Sequence, residues 1–313
     1  MKGLEISEAY FNEYGMPLLQ EEFPDLLPQV AAGLFGSGSE CFGFDDEVSR
    51  DHDFDPGFIV LLPDESAVDR KVEFALERAY AALPKEFEGV SRQSLAPVGG
   101  KRRGVMRMSD FLREKTGDAQ GRLTTEQWLR MPSYALAEVV NGKVFHDGSG
   151  EFTRIRANLG RYPEDVRRKK LAGYLLLAAQ AGQYNYRRCL RHGEEAAAQL
   201  AVFEFVQSTM QIIFLLNDAY QPFYKWCFRA MRGLDRLPLV AELLEYLITT
   251  HNEAQLARDK YDVIEDIAAD VINELARQGL TRANCGDLEK HAYSVNDGIA
   301  NANLRNSHIL AGV

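Results

Sequence analysis

The spacing of apolar positions changes near residue 150. Before it, short apolar runs alternate with helical patterns and are punctuated by glycine and proline. Ile6, Tyr10, Phe11 and Tyr14 recur at helical spacing and predict an opening helix. Residues 30–35 (VAAGLF) form a short apolar run that ends at Gly36-Ser37-Gly38-Ser39. Residues 58–62 (FIVLL) have the length and continuity of a buried strand. Asp64 or Ser66 can cap a following helix with Val68, Val72, Ala75 and Leu76 on one face. Residues 105–108 predict another strand. Thr124 with Gln127 makes a capping box for a helix reaching about residue 140. The Asn141-Gly142 turn then leads to a strand over 143–146.

After residue 150, helical spacing dominates. Pro163 can open a helix carrying Leu171, Tyr174, Leu175 and Ala178. A second helix carries Val202, Phe205, Val206, Thr209, Ile212, Ile213, Leu216 and Tyr220. A third spans about 238–249, a fourth carries Leu256 through Leu275, and a last runs from Asp287 towards Ile309. The expectation is an α+β chain: an α/β domain with a mixed sheet over 1–150, then a helical bundle over 151–313.

Composition changes this picture little. The chain has 313 residues, 46% hydrophobic and 26% charged, and can bury a core without staples. Its net charge of -10 speaks against a broad nucleic-acid surface. Cys41, Cys189, Cys227 and Cys285 show no CxxC or zinc-like spacing and read as reduced thiols. The first residues lack the apolar core of a signal peptide, and no apolar run reaches the ~18–20 residues of a membrane span. These features point to a cytoplasmic protein without a membrane partner; they leave the oligomeric state open.

Candidate chemistry concentrates in residues 33–62, GLFGSGSECFGFDDEVSRDHDFDPGFIVLL. The glycine-serine turn can let a phosphate approach backbone N–H groups, and Ser39 can add a hydroxyl. Asp51 and Asp53 precede a strand. Two residues apart on extended backbone, they can face one point while His52 faces away. Such a pair repels itself unless a divalent cation intervenes, and Mg²⁺ favours hard oxygen ligands shared with phosphates. A solvated acidic turn is the commoner fate of a lone DxD. Asp45, Asp46 and Glu47 form a second acidic cluster, read chiefly as caps or solvated charge. Arg102 and Arg103 are expected as solvated loop charges. Arg187 and His192 share the R-x4-H spacing of some helical ribonucleases, but basic residues at a helix end favour its dipole.

Eleven residues separate Gly38-Ser39 from Asp51. Turn, spacing and DxD together resemble the signature of the polymerase-β-like nucleotidyltransferase superfamily, which includes aminoglycoside nucleotidyltransferases with a helical bundle after the catalytic domain. The segments GSECFGFDDEVSRDHDF, YPEDVRRKKLA, GQYNYRRCL and LLNDAYQPFYKW look like one bacterial family of that superfamily labelled as a domain of unknown function. The similarity covers most of residues 1–230.

That resemblance implies that Asp51 and Asp53 hold Mg²⁺ and that Gly38 and Ser39 cradle the phosphates of ATP or another nucleoside triphosphate. It implies that Asn217 and Lys225 reach the triphosphate from the helical domain. The reaction it implies moves a nucleoside monophosphate, AMP from ATP, onto a hydroxyl of a small-molecule acceptor. Superfamily members carry a third carboxylate on a later strand. The corresponding run 105–108 offers no acid, and Asp110 just beyond is the candidate. A nucleotide-binding regulator without turnover, or a transferase acting on protein or RNA, are the alternatives.

Overall fold

A computed structural model describes residues 1–48, 55–92 and 103–313, with only the backbone of Ala254. Asp51 and Asp53, together with Arg50, His52 and Arg102, lie outside the described residues. The chain is α+β, with a mixed four-stranded sheet and a helical C-terminal part. It divides into two compact units. One comprises residues 1–123 and 134–160, the other 124–133 and 161–313.

The first unit opens with α1 (Gly3–Tyr10), a π-helical turn (Phe11–Gly15) and α2 (Met16–Glu21). Strand β1 (Ala31–Leu34) leads through the glycine-serine turn to a 3₁₀ turn (Glu40–Phe42), and β2 is Ile59–Leu62. Helix α3 (Arg70–Ala82) starts at Asp69, whose side chain accepts from the Lys71 and Val72 amides; neither Asp64 nor Ser66 is the cap. A two-residue hairpin, β3 (Glu86–Phe87) and β4 (Val90–Ser91), follows. Strand β5 (Gly104–Arg107) runs directly into α4 (Met108–Thr116). The expected single helix over 124–140 is two: α5 (Thr125–Arg130), which lies in the second unit, and α6 (Ser133–Val140). Pro132 separates them, since its ring and missing N–H oppose a continuous helix. Then come β6 (Lys143–Asp147) and α7 (Glu151–Leu159).

The sheet order is β5-β2-β1-β6. β1 is antiparallel to both β2 and β6, and β2 is parallel to β5. β1 and β2 are buried at every position, which explains their unbroken apolar runs. One face carries Val30, Ala32, Val60 and Leu62 against Ile6, Tyr10, Phe11 and Leu76. Phe35, Phe111 and Phe152 form an aromatic cluster with centroids 4.7 to 5.8 Å apart.

The second unit contains α8 (Glu164–Ala178), which continues as a π-helix (Ala179–Tyr186) into α9 (Arg187–Arg191). Helix α10 (Glu195–Leu216) packs on α8. It is the one helix among the described residues long and apolar enough to cross a membrane, and most of that apolar stretch is buried in the unit. A 3₁₀ turn (Tyr224–Trp226), α11 (Cys227–Met231), α12 (Val240–Thr249) and α13 (Ala254–Arg277) follow. The expected last helix is broken into α14 (Leu288–Asp297) and α15 (Ala302–Asn306).

Three lysines are buried here. Lys169 donates to the Asn296 side chain and the Ser307 carbonyl. Lys170 donates to the carbonyls of Leu129 and Gly312, and Lys260 to Gln199, Thr250 and Asn252.

Candidate functional site

Strand register assembles one end of the sheet. Gly33 pairs with Ile59, Ile59 with Gly104, and Leu34 with Lys143. The end of β1 therefore meets the starts of β2, β5 and β6. The glycine-serine turn sits at that end, as does the chain entering β2.

The turn is held by side chains from distant positions. Gly36 has φ +102 and Gly38 has φ +132, conformations that favour glycine. Asn141 clamps Gly36: its Oδ1 accepts the Gly36 N–H at 2.8 Å, and its Nδ2 donates to the Gly36 carbonyl at 2.8 Å. Ser37 donates to Glu138 at 2.8 Å. Lys115 donates to the same Glu138 oxygen at 2.8 Å and to the Ser37 hydroxyl at 3.1 Å. Burial works against the Lys115 charge, but Glu138 and Glu114 hold its pKa above the usual lysine range. A cation thus stands beside the turn. The Ser39 hydroxyl makes no capping bond to the 3₁₀ turn it precedes.

Beneath the turn lies a buried ionic pair. Glu40 is 4% exposed and accepts from Arg103 Nη2 at 2.7 Å. Arg103 Nε lies 3.6 Å from Asp55. Burial alone would depress the Arg103 pKa, but Glu40, Cys41 and Asp55 hold it raised. A Cβ on Gly38 would come within 2.5 Å of the Glu40 carboxylate, so the turn closes tightly over this pair. Arg103 is therefore no solvated loop charge: it is 6% exposed at the head of β5. Tyr80 fixes the entry to β2. Its hydroxyl donates to the Phe58 carbonyl at 2.8 Å and accepts the Phe58 N–H at 3.0 Å. Burial pushes its pKa up to about 12.

Other candidate residues take the following places. Asp45 is buried and accepts the Gly3 N–H at 3.0 Å, so it serves the start of α1. Asp110 lies in the first turn of α4, exposed, and pairs with Arg113 at 2.8 Å. Asn217 ends α10: its amide donates to the Ile213 and Arg236 carbonyls and accepts the Arg236 N–H. Lys225 is exposed on its 3₁₀ turn, and its ammonium lies 5.1 Å from the Trp226 ring centre. Arg229 lies 5.2 Å from the same ring, so two cations share one indole. Arg187 stacks over Tyr261 at 4.4 Å.

Among the described residues, no three His, Cys, Asp or Glu side chains are grouped to hold a metal ion. Sequence reasoning passed over Glu40, Lys115 and Glu138, and read Asn141 only as a turn residue. Each lies remote from its partner in sequence or reads locally as an ordinary helical charge or turn. The signal within reach was the density of glycine and serine over 36–39, which requires some clamp.

Comparison with known proteins adds one match. A family model described as a domain of unknown function (DUF4037) matches residues 128–227. No curated protein and no solved structure matches the chain.

Proposed function

We propose that the chain is a Mg²⁺-dependent nucleotidyltransferase that moves AMP from ATP onto a hydroxyl of a small-molecule acceptor. The observation that supports this most is the register at one sheet end. It joins a clamped turn with two positive-φ glycines to the start of the strand that Asp51 and Asp53 precede.

The donor chemistry fits the metal, since Asp51 and Asp53 are hard oxygen ligands of the kind Mg²⁺ takes. When bound, the ion supplies neutralisation of phosphate charge. The rest falls to the chain. The turn, through Gly38 and Ser39, offers backbone N–H groups to the phosphates. The Ser39 hydroxyl adds a contact. Lys115 contributes positive charge beside the turn, and Asn141 keeps the loop in its binding shape before ligand arrives. Lys225, with Arg229 nearby, is the phosphate-binding candidate of the second unit. Asn217 is the other, and it would contact phosphate by yielding one of its present bonds.

A second reading, a nucleotide-binding regulator without turnover, draws on β5. This neighbour of β2 carries Gly104, Val105, Met106 and Arg107, with no carboxylate, and Arg103 at its head is engaged by Glu40.

The test is direct. Purified full chain is titrated with ATP in Mg²⁺ and in chelator, and pyrophosphate release is followed with a cell extract as acceptor source. Mg²⁺-dependent binding that Asp51→Asn/Asp53→Asn abolishes supports the site. Binding unchanged in that variant overturns it. Tight binding with no release under any acceptor condition favours the regulator.

A further inference from the structure

The second unit holds a cleft of about 480 Å³ that the reading above does not use. Its size falls in the range of small-molecule sites, roughly 300–1,000 Å³. One wall is the π-helix Ala179–Tyr186; the others are α13 and the turn entering α14. π-Helical segments are rare and recur at functional sites. Here the backbone of that segment is pressed inward at Gly182, where a Cβ would lie 2.4 Å from Phe205 and 2.9 Å from Ile264.

Gln183 then ties the three walls together. Its amide nitrogen donates to Glu265 at 2.8 Å and to the Gly286 carbonyl at 2.9 Å, and its oxygen accepts the Leu288 N–H at 2.9 Å. The cleft is thus built in advance of any ligand.

Its lining is one-sided in charge. Glu265, Asp287 and Glu289 line it; among the described residues no lysine or arginine does, while Arg187 and Arg188 stand on its two tyrosines. Tyr184 and Tyr261 supply ring surface, and both rings already attract cations: Arg188 lies 5.6 Å from the Tyr184 centre and Arg187 4.4 Å from that of Tyr261. The three carboxylates are not grouped to hold a metal ion. Separated negative charges joined by aromatic surface suit a ligand whose positive charges are also separated, with an apolar chain between them.

We propose that this cleft binds a linear aliphatic polyamine, its ammonium groups taken by Glu265, Asp287 and Glu289 and its methylenes lying on Tyr184 and Tyr261. The cleft is built wholly from residues of the second unit, and the proposal stands whether or not the glycine-serine turn binds nucleotide.

Spermidine is the probe, titrated calorimetrically into the full chain at fixed ionic strength. Saturable binding at one site is expected. Glu265→Gln/Glu289→Gln should weaken it about tenfold or more, the scale of a lost charge-assisted contact. Tyr184→Ala, at a ring 60% exposed, should weaken it without changing the thermal midpoint. Asp51→Asn should leave it unchanged. The proposal is overturned if spermidine shows no saturable binding, if Mg²⁺ at equal charge displaces it, or if both Tyr184→Ala and the double variant leave the affinity where it was.

Discussion

The buried arginine beneath the turn of the first unit and two buried lysines of the second unit are held differently. Arg103 in the first unit faces carboxylates, Glu40 at 2.7 Å and Asp55 at 3.6 Å. Lys170 and Lys260 in the second are hydrogen-bonded to neutral oxygens: backbone carbonyls for the first, and Gln199, Thr250 and Asn252 for the second. The consequence is opposite in sign. Arg103 is held firmly charged, whereas burial pulls both lysines down to about 8. Carboxylate pairing fixes a charge in place beneath the candidate turn. Neutral cages instead pin chain segments together, and their charge depends on pH.

The largest expected effect comes from cutting the first kind. Glu40→Leu removes the carboxylate that lies 2.7 Å from the buried Arg103 and should cost about 3–5 kcal/mol in denaturant unfolding. Adding Arg103→Met should restore much of that loss. Lys260→Met removes a charge but leaves only neutral acceptors behind, with an expected cost of about 1–2 kcal/mol. Equal costs for the two single substitutions would erase the distinction between the carboxylate-paired arginine and the neutrally caged lysine.

Next in size is a pH dependence. Between pH 8 and the ordinary lysine value of 10.5, the unfolded chain holds protons on Lys170 and Lys260 that the folded chain has released. Unfolding free energy therefore rises with pH across that window. Burial pushes Tyr80 and Tyr186 from 10.0 to about 12, so above pH 10 the folded chain holds the extra protons and stability falls again. Denaturant midpoints should climb from pH 8 and turn over near pH 10. Lys170→Met/Lys260→Met should flatten the climb, and a steady fall from pH 8 would show ordinary lysines.

The smallest effect is expected at Asp110. Its pair with Arg113 is exposed, so Asp110→Asn should change stability by less than about 0.5 kcal/mol. The same variant tests the third carboxylate. Pyrophosphate release that survives the substitution would leave Asp110 outside the chemistry, and a large loss without loss of stability would put it there.

Much of the framework was legible because periodicity reports burial. The runs 30–35 and 58–62 are continuous because their strands are covered on both faces, and the turn residues between β1 and the 3₁₀ segment announce themselves by composition. The break at Pro132 was equally within reach. Asn141 was legible as a turn residue but not as the clamp on Gly36, since 105 positions separate the two. The β3–β4 hairpin, two residues per strand, is too short to show a period. Nothing local marks Arg103 as buried, or residues 124–133 as part of the second unit.

By itself, then, the sequence determined the four strands of the larger sheet, most helices and the glycine-serine turn with its downstream acidic pair, since those follow from local propensity and apolar spacing. Tertiary structure alone decided that Lys115, Glu138 and Asn141 converge on that turn, that Glu40 and Arg103 close beneath it, and that the π-helix walls a cleft. Each of these depends on which distant residues share a small volume. Sheet register and helix packing set that, and no run of neighbouring residues encodes it.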